Sequence, residues 1–167
     1  MYNVSLAQGQ NNNVQININN GKFKINKKEI GNNWNLSFFY PLINIADRKK
    51  ATIKNVAHTY DKLGVVIYEP IILQNESGEV AECQFFLDKV EAGVTNPTNL
   101  FEGKILIQKI DITKNTSIEE FRIICKDYTE TMLDEHDKYK FSKEGIYFFL
   151  LYNKDNKLVK LSVGKQN

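Results

Sequence analysis

The fold of this chain is decided by residues 56–68, which read VAHTYDKLGVVIY. Two runs rich in β-branched and aromatic residues flank the four residues from Asp61 to Gly64, whose length and composition are those of a hairpin turn. Gly64 tolerates the positive φ angle that such turns require, and Tyr60 and Leu63 can pack beside it. The segment therefore predicts two paired antiparallel strands.

Similar signals on both sides of this hairpin extend the predicted sheet. Residues 14–18 alternate apolar and polar side chains, residues 19–21 (Asn-Asn-Gly) form a turn, and Phe23 and Ile25 continue as the returning strand. The remaining predicted strands are Val80 to Leu87, Gly103 to Ile112 with a bulge or turn around Lys109, Ile146 to Tyr152, and Lys157 to Val163.

Two stretches carry a helical pattern. The apolar spacing within Leu36 to Ile45 predicts a short helix, although Pro41 lies inside it. Ser117 and Glu120 have the spacing of a capping box and predict the start of a second helix. Its apolar stripe follows at spacings of three and four, and comprises Ile118, Phe121, Ile124, Cys125, Tyr128 and Met132.

The order of these elements predicts an α+β fold in a single domain. We expect an antiparallel meander of six to eight strands packed against two helices. The chain has 167 residues, of which 42% are hydrophobic and 25% charged, as in a globular protein with one core. Residues 1–13 lack periodicity, so we expect a flexible N-terminal segment followed by one domain spanning residues 14–167.

The sequence offers no constellation that points to catalysis or to a cofactor. His58 and His136 are the only histidines, and neither lies in a pattern typical of a nucleophile triad or a transition-metal site. The glycines do not form a phosphate-binding loop or a dinucleotide-binding motif. We therefore expect no catalytic residues, no metal site, no cofactor and no enzymatic activity.

Composition also argues against membranes and nucleic acids. The segment from Met1 to Val14 lacks the features of a signal peptide, and the longest apolar run, from Ile146 to Tyr152, is short of the roughly 20 residues of a membrane span. A formal net charge of +2 and only two arginines argue against a nucleic-acid-binding surface. We expect a soluble cytoplasmic protein, with Cys83 and Cys125 reduced and buried or joined in a disulfide.

Charge is segregated along the chain. The formal charge is +6 for residues 1–60, −9 for residues 61–137 and +5 for residues 138–167. Residues 127–137 contain five acidic side chains and no lysine or arginine, and a second acidic group surrounds a predicted loop at residues 69–82. One interpretation is an acidic patch for a basic partner; the other is a solvated face neutralised by lysines from the flanking segments.

Several short motifs resemble those of a protein family. They are Asn20-Gly21-Lys22, Tyr60-Asp61-x-Leu63-Gly64-Val65, Phe101-x-Gly103-Lys104-Ile105 and Thr116-x-x-Glu119. Their order, over roughly residues 14 to 125, resembles small bacterial proteins encoded beside polymorphic toxins and associated with immunity to them. The resemblance implies an α+β domain without catalytic residues.

The resemblance further implies a bacterial immunity protein of a polymorphic-toxin or contact-dependent-inhibition system. It would bind one cognate protein toxin in the cytoplasm and occlude its active site or partner surface. A nuclease effector is the expected toxin, because an acidic surface can occupy a basic substrate cleft as the phosphates do. The residues expected to contact it are Glu130, Asp134, Glu135, Asp137, Glu76, Glu79, Glu82, Tyr128 and Tyr139. The alternative is a non-enzymatic structural or adaptor protein, related to phage or secretion.

Overall fold

The computed structural model of the chain describes residues 14–31, 34–131, 133 and 137–166. The predicted flexible segment, residues 1–13, lies outside these ranges. Two short helices are present, α1 (Leu36–Ile43) and α2 (Ile118–Ile124). The strands, in chain order, are β1 (Gln15–Asn19), β2 (Lys22–Ile25), β3 (Lys28–Glu29), β4 (Arg48–Ala51), β5 (Asn55–Tyr60), β6 (Val65–Ile72), β7 (Asn75–Glu76), β8 (Glu82–Phe86), β9 (Lys104–Ile107), β10 (Ile110–Ile112), β11 (Thr129–Thr131), β12 (Lys138–Lys143), β13 (Ile146–Tyr152) and β14 (Leu158–Lys165).

The strands form two sheets. The larger has the order β11-β12-β13-β14-β8-β6-β5-β4, with β7 paired to β6, and the smaller has the order β10-β9-β1-β2-β3. All pairs are antiparallel except β1 with β9, which is parallel. The coarse prediction of an α+β fold rich in antiparallel strands is confirmed. The prediction of a single meander is wrong, because the N-terminal hairpin pairs with β9 instead of joining the larger sheet.

The hairpin predicted at residues 56–68 is confirmed as β5 and β6. Tyr60 pairs with Val65 and His58 pairs with Ile67, with residues 61–64 as the connection. Gly64 has a φ of +68°, and an added Cβ would lie 2.2 Å from the amide nitrogen of Phe101. Glycine is therefore required here both by the backbone conformation and by the close approach of another segment.

Two-residue turns join five pairs of strands. Both central residues of each turn have positive φ, as in the type I′ turns that match strand twist. The five turns are Asn20-Gly21, Asn26-Lys27, Leu73-Gln74, Gln108-Lys109 and Glu144-Gly145. The first was predicted from its Asn-Gly signal, and the change of phase around Lys109 is resolved as a turn.

One main core joins the two sheets and both helices. The smaller sheet contributes residues such as Ile18 and Ile107, the larger sheet Phe148, and the helices Phe39 and Phe121, all fully buried. Alternation along each strand places these side chains on the inner face. A second, smaller cluster lies on the other face of the larger sheet, under the loop of residues 88–100, and comprises Ala57, Val66 and Phe86 with Tyr68, Val90 and Leu100.

Helix α1 begins at its predicted residue and ends two residues earlier than predicted. Asn35 caps it by accepting a hydrogen bond from the Phe38 amide at 2.9 Å. Pro41 lies inside the helix on its exposed side, and Leu36 and Phe39 pack into the core. The predicted stripe is therefore confirmed despite the proline.

Helix α2 has the predicted capping box but is shorter than predicted. The Glu120 carboxylate accepts from the Ser117 amide at 2.8 Å, and the Ser117 hydroxyl accepts from the Glu120 amide at 3.2 Å. The stripe was expected to run to Met132, which lies outside the described residues, yet the helix ends at Ile124. Residues 125–128 form turns, and the β-branched Thr129–Thr131 pair with β12 instead.

Five strands were not predicted from the sequence, namely the two-residue strands β3 and β7, the short edge strand β11, and the longer strands β4 and β12. Arg48–Ala51 forms the edge strand β4, in which the three residues from Lys49 to Ala51 are exposed, so no apolar alternation marks it. Lys138–Lys143 forms β12, where Tyr139 and Phe141 alternate with lysines. The second pattern is the ordinary signal of a half-buried strand and was detectable in the sequence.

Candidate functional site

The exposed side of α2 carries an apolar residue among charged ones, which include the basic residues Arg122 and Lys126 as well as acidic residues. Phe121 points into the core, whereas Ile123 on the opposite side is 72% exposed. Glu119 lies one helical turn before Ile123 and Asp127 follows in the turn after the helix, and both are exposed. We call this region the α2 surface, and we include in it Asp137, which lies two residues before Tyr139 at the start of β12.

Glu130, the first of the predicted contact residues, forms an ion pair within the protein. It lies on the edge strand β11 and faces Arg122 of α2, whose Nε is 3.0 Å from Oε2 and whose Nη2 is 2.8 Å from Oε1. This two-point hydrogen bonding lowers the pKa of the Glu130 carboxyl below its ordinary value. The pair joins α2 to the sheet edge, so Glu130 supports the α2 surface and brings little uncompensated charge to it.

The two predicted aromatic contacts differ in accessibility. Tyr128 is 8% exposed and its ring packs on Phe148 with centroids 5.3 Å apart, so it belongs to the core. Burial raises the pKa of its hydroxyl. Tyr139 is half-buried, stacks edge-to-face on Tyr152, and lies 5.6 Å from the guanidinium of Arg122. Tyr139 therefore borders the α2 surface, whereas Tyr128 lies beneath it.

The other predicted acidic contacts near α2 are only partly described. Asp137 is exposed just before β12. Asp134 and Glu135 lie outside the described residues. Thus Glu130, Asp137 and Tyr139 come together at one edge of the larger sheet, beside α2.

The second acidic group lies elsewhere in the fold. Glu76 pairs with Lys49 at 3.2 Å, and Glu82 accepts hydrogen bonds from Tyr147 and Gln84, both at 2.6 Å. Glu79 is exposed. Strand β8, which carries Glu82, is four strand spacings of about 4.8 Å from β11, or about 19 Å. The two acidic groups are therefore separate surfaces and do not form one patch.

Ile123 and Glu119 were not among the predicted contacts. The sequence did contain a signal for Ile123, because it lies outside the apolar stripe of α2 that includes Phe121 and Cys125. A helical projection would place it on the solvent side, where a large apolar residue is informative when acidic residues surround it.

A buried polar pair in β5 and β6 was also missed. His58 Nε2 lies 2.7 Å from Glu69 Oε2, and Glu69 Oε1 accepts from the Gly78 amide at 2.5 Å. The exposed fractions of the two side chains are 0% and 1%. The pair is closed to solvent and serves the structure, linking two strands to the turn at Gly78.

Comparisons with known proteins place the chain in a family. The family described as "Domain of unknown function (DUF7738)" matches residues 15–122. A search of curated proteins gave no significant match. No helix within the described ranges is long and apolar enough to cross a membrane.

The chain is similar to several solved structures, with TM-scores below 0.5. One is an extracellular protein containing a SCP domain from Bacillus anthracis (7% identity, 78% of this chain and 43% of that chain, TM-score 0.48). Another is a DUF4309 family protein from Bacillus subtilis (8% identity, 84% of this chain and 80% of that chain, TM-score 0.42). A third is a cysteine-rich secretory protein from Staphylococcus aureus (9% identity, 80% of this chain and 44% of that chain, TM-score 0.46). The chain spans less than half the length of the first and third of these proteins.

Proposed function

Because the chain belongs to the DUF7738 family, whose function is unknown, we propose from its surface chemistry that it is a protein-binding inhibitor of the immunity type. It binds a cognate bacterial toxin in the cytoplasm and blocks the toxin's active site or partner surface, without catalysing a reaction. The observation that carries the proposal is Ile123, 72% exposed between acidic residues on the solvent side of α2.

An exposed aliphatic side chain with a charged surround has the form of a binding anchor. Interfaces are apolar at the centre and polar at the rim, and a few central side chains supply most of the affinity. Ile123 would form such a centre, with Glu119, Asp127 and Asp137 at the rim. Together with Tyr139 and the short edge strand β11, this area can contribute to an interface on the order of 800 Å² per partner.

The charge of the α2 surface favours a basic partner. Its rim acids Glu119, Asp127 and Asp137 have no ion pair within the described part of the chain, whereas Glu130 is neutralised by Arg122. A nuclease has a basic cleft for its substrate phosphates, and an acidic surface can enter that cleft in their place. Opposite charges also raise the rate of association at low ionic strength.

The proposal is tested with the protein encoded by the gene next to this one. That protein should be toxic when expressed alone, harmless when expressed with this chain, and recovered with it in a one-to-one complex. Replacing Ile123 by Asp should raise the dissociation constant by about 30-fold, the size expected for an anchor worth about 2 kcal/mol. Folding of the variant is checked by its unfolding midpoint, since Ile123 makes little contact with the core.

Charge reversal tests whether the acidic residues of the α2 surface contribute to binding. The triple variant Glu119→Lys, Asp127→Lys and Asp137→Lys should lower the association rate at least about tenfold at low salt, and less at physiological salt. Glu79→Lys, in the second acidic group, is the matched control and should leave the rate unchanged. A rate that falls only with Glu79→Lys would move the interface to that second group. A neighbouring protein that neither kills nor binds, with self-association of this chain, would favour a structural role instead.

A further inference from the structure

A cavity of about 440 Å³ lies between the C-terminal end of α1, the β2–β3 turn and the β5–β6 turn. Its volume is in the range of sites for small molecules. Apolar side chains form part of its lining, namely Val14, Leu42, Ile43 and Leu63. Polar residues complete it, namely Asn26, Tyr40, Asn44, Asp47, Tyr60 and Lys62. The lining thus combines apolar walls with polar groups that can orient a ligand.

Tyr60 supplies an unused hydrogen-bonding group to this lining. The residue is 2% exposed, and its hydroxyl has no hydrogen-bond partner within the described part of the chain. Most buried side-chain polar atoms in proteins are hydrogen-bonded, so an unpaired hydroxyl beside a cavity indicates a missing partner. Burial raises the pKa of Tyr60, and neighbouring Tyr40, Cys83 and Asp47 raise it further, so the hydroxyl stays protonated and lies near a carboxylate.

The electrostatics of the cavity favour a positive ligand. Residues 41–43, the last turn of α1, lie along it, and the C-terminal end of a helix carries partial negative charge on its last carbonyls. The Leu42 carbonyl accepts a hydrogen bond from the Asn26 side chain at 3.2 Å. No basic side chain lies in that last turn.

Asp47 adds a carboxylate, whose Oδ2 accepts one long hydrogen bond of 3.5 Å from the backbone amide of Lys62. Lys62 also lines the cavity, but its side chain is exposed and forms no ion pair with Asp47 among the described residues. Arg48 is close enough to interact with Asp47, but its guanidinium is paired with Asp61.

The backbone at the cavity is also strained. Asn44, the residue after α1, has φ of 79° and ψ of −173°, a conformation that is almost confined to glycine. Strained residues of this kind concentrate at binding sites, where the surrounding structure maintains them. Here the strain turns the chain from the end of α1 toward Asp47, so that the carboxylate and the helix carbonyls border the same space.

We propose that this cavity binds an organic cation, a primary ammonium or a guanidinium on a short apolar stem. The cationic head meets Asp47 and the carbonyl end of α1, and one of its N–H groups donates to the Tyr60 hydroxyl oxygen after a small shift of the side chains that cover it. The stem packs against Leu42 and Leu63. Such a group is found both in free amines and in lysine or arginine side chains of a protein partner. The inference is independent of the function proposed for the α2 surface.

The test is a titration of the full-length protein followed by amide resonances in ¹H–¹⁵N spectra. The probes are n-butylammonium and n-butylguanidinium, with n-butanol and butyrate as neutral and anionic probes of similar length. The cations should produce saturable shifts at Ile43, Asp47 and Leu63, with dissociation constants at least tenfold lower than those of butanol and butyrate. Equal binding of all four probes, or no saturable shift with either cation, would overturn the proposal.

Variants identify the groups that bind the cation. Asp47→Asn should weaken cation binding at least tenfold, and Tyr60→Phe several-fold, without strengthening the binding of butanol. Asp155→Asn, at an exposed turn, is the control and should change nothing. Asp47 is exposed, so its variant should fold even if Tyr60→Phe does not. Unchanged binding by Asp47→Asn would refute the assignment.

One further measurement distinguishes a free amine from a protein side chain as the source of the cation. A second measurement tests the cavity independently of the α2 surface. If N-acetyl-arginine methylamide binds at least as tightly as butylguanidinium, the cavity accepts a side chain attached to a peptide, and a protein partner is the source. If it binds at least tenfold more weakly, a free amine is the source. Either result supports a cation site. Ile123→Asp should leave cation binding intact, so failure of the α2 surface proposal would not affect this one.

Discussion

Arg48 and Asp61 form a two-point ion pair, with Nε 2.8 Å from Oδ2 and Nη2 3.1 Å from Oδ1. The same guanidinium donates to the carbonyl oxygens of Val94 at 2.6 Å and Asn96 at 2.5 Å. Asp61 also accepts from the Thr98 amide at 2.9 Å. One of the two arginines thus joins the edge strand β4, the β5–β6 turn and the loop of residues 88–100.

Replacing Arg48 by Lys should loosen this loop. Lysine has one donor centre, so it cannot bond both Asp61 and the two carbonyls in the planar geometry of arginine. We expect a loss of about 1–2 kcal/mol in the free energy of unfolding, measured with urea, because the pair is partly exposed. Hydrogen exchange of the Thr98 amide should become faster. Unchanged exchange in the variant would show that other contacts hold the loop.

The same pair should make stability depend on pH in the acid range. The hydrogen bonds and charge of Arg48 lower the pKa of Asp61 below its ordinary value. A carboxyl whose folded pKa is depressed stabilises the protein above its unfolded pKa, near 4, and that stability is lost as the pH falls through the lower folded value. The urea midpoint of Asp61→Asn should therefore lie below that of the unaltered chain at pH 7, and the two midpoints should converge at pH 2–3. A constant difference would contradict this assignment.

Gly64→Ala should be much more destabilising than Gly31→Ala. Both glycines have positive φ, +68° and +54°, so both substitutions strain the backbone by about 1 kcal/mol or more. At Gly31 an added Cβ meets nothing within 4 Å, whereas at Gly64 it would lie 2.2 Å from Phe101 N and 2.3 Å from the Leu100 carbonyl carbon. We expect a loss of about 3 kcal/mol or more for Gly64→Ala. Equal unfolding midpoints for the two variants would mean that residues 100–101 can move away.

The buried pair of His58 and Glu69 should show strong coupling. His58→Leu leaves a buried carboxylate without its donor, which should cost about 3–5 kcal/mol in the free energy of unfolding. The double variant His58→Leu with Glu69→Met removes both polar groups and should recover most of that loss, because exposed Gly78 can bond to water. A double-mutant cycle measures the coupling. Additive losses would show that the two side chains act independently.

Both cysteines should be unreactive in the folded protein. Cys83 and Cys125 are free and each is 1% exposed. Burial raises the pKa of both thiols, that of Cys125 to about 12, so little of the reactive thiolate exists at pH 8. Ellman's reagent should modify them only as fast as the protein unfolds, and at once in urea. Rapid reaction of one thiol in the native protein would contradict the buried placement.

Much of the fold could be predicted because its signals are local. The hairpin at residues 56–68, the Asn20-Gly21 turn and the capping box of Ser117 and Glu120 depend on neighbouring residues, and all three are confirmed. The turns at Leu73-Gln74 and Gln108-Lys109 have no residue that prefers positive φ, and pairing of their strands imposes the conformation.

The candidate sites were less predictable for a related reason. The sequence identified the acidic stretch that includes Glu130, but Arg122 neutralises Glu130 only because the chain turns after Ile124 and returns as β11. A longer helix, as the stripe to Met132 suggested, would have kept these side chains apart. Likewise, the cavity at Tyr60 combines the end of α1 with two turns, β2–β3 and β5–β6, that are distant from each other in the chain.

The sequence by itself determined the β-rich α+β class, the principal hairpins and the starts of both helices, because these depend on side-chain alternation, turn residues and caps within a few positions. Only the tertiary structure decided that the N-terminal hairpin pairs with β9, that the two acidic groups lie apart, and that Arg122 neutralises Glu130. Those outcomes depend on how distant segments pack around a shared core, and that packing outweighs local preference.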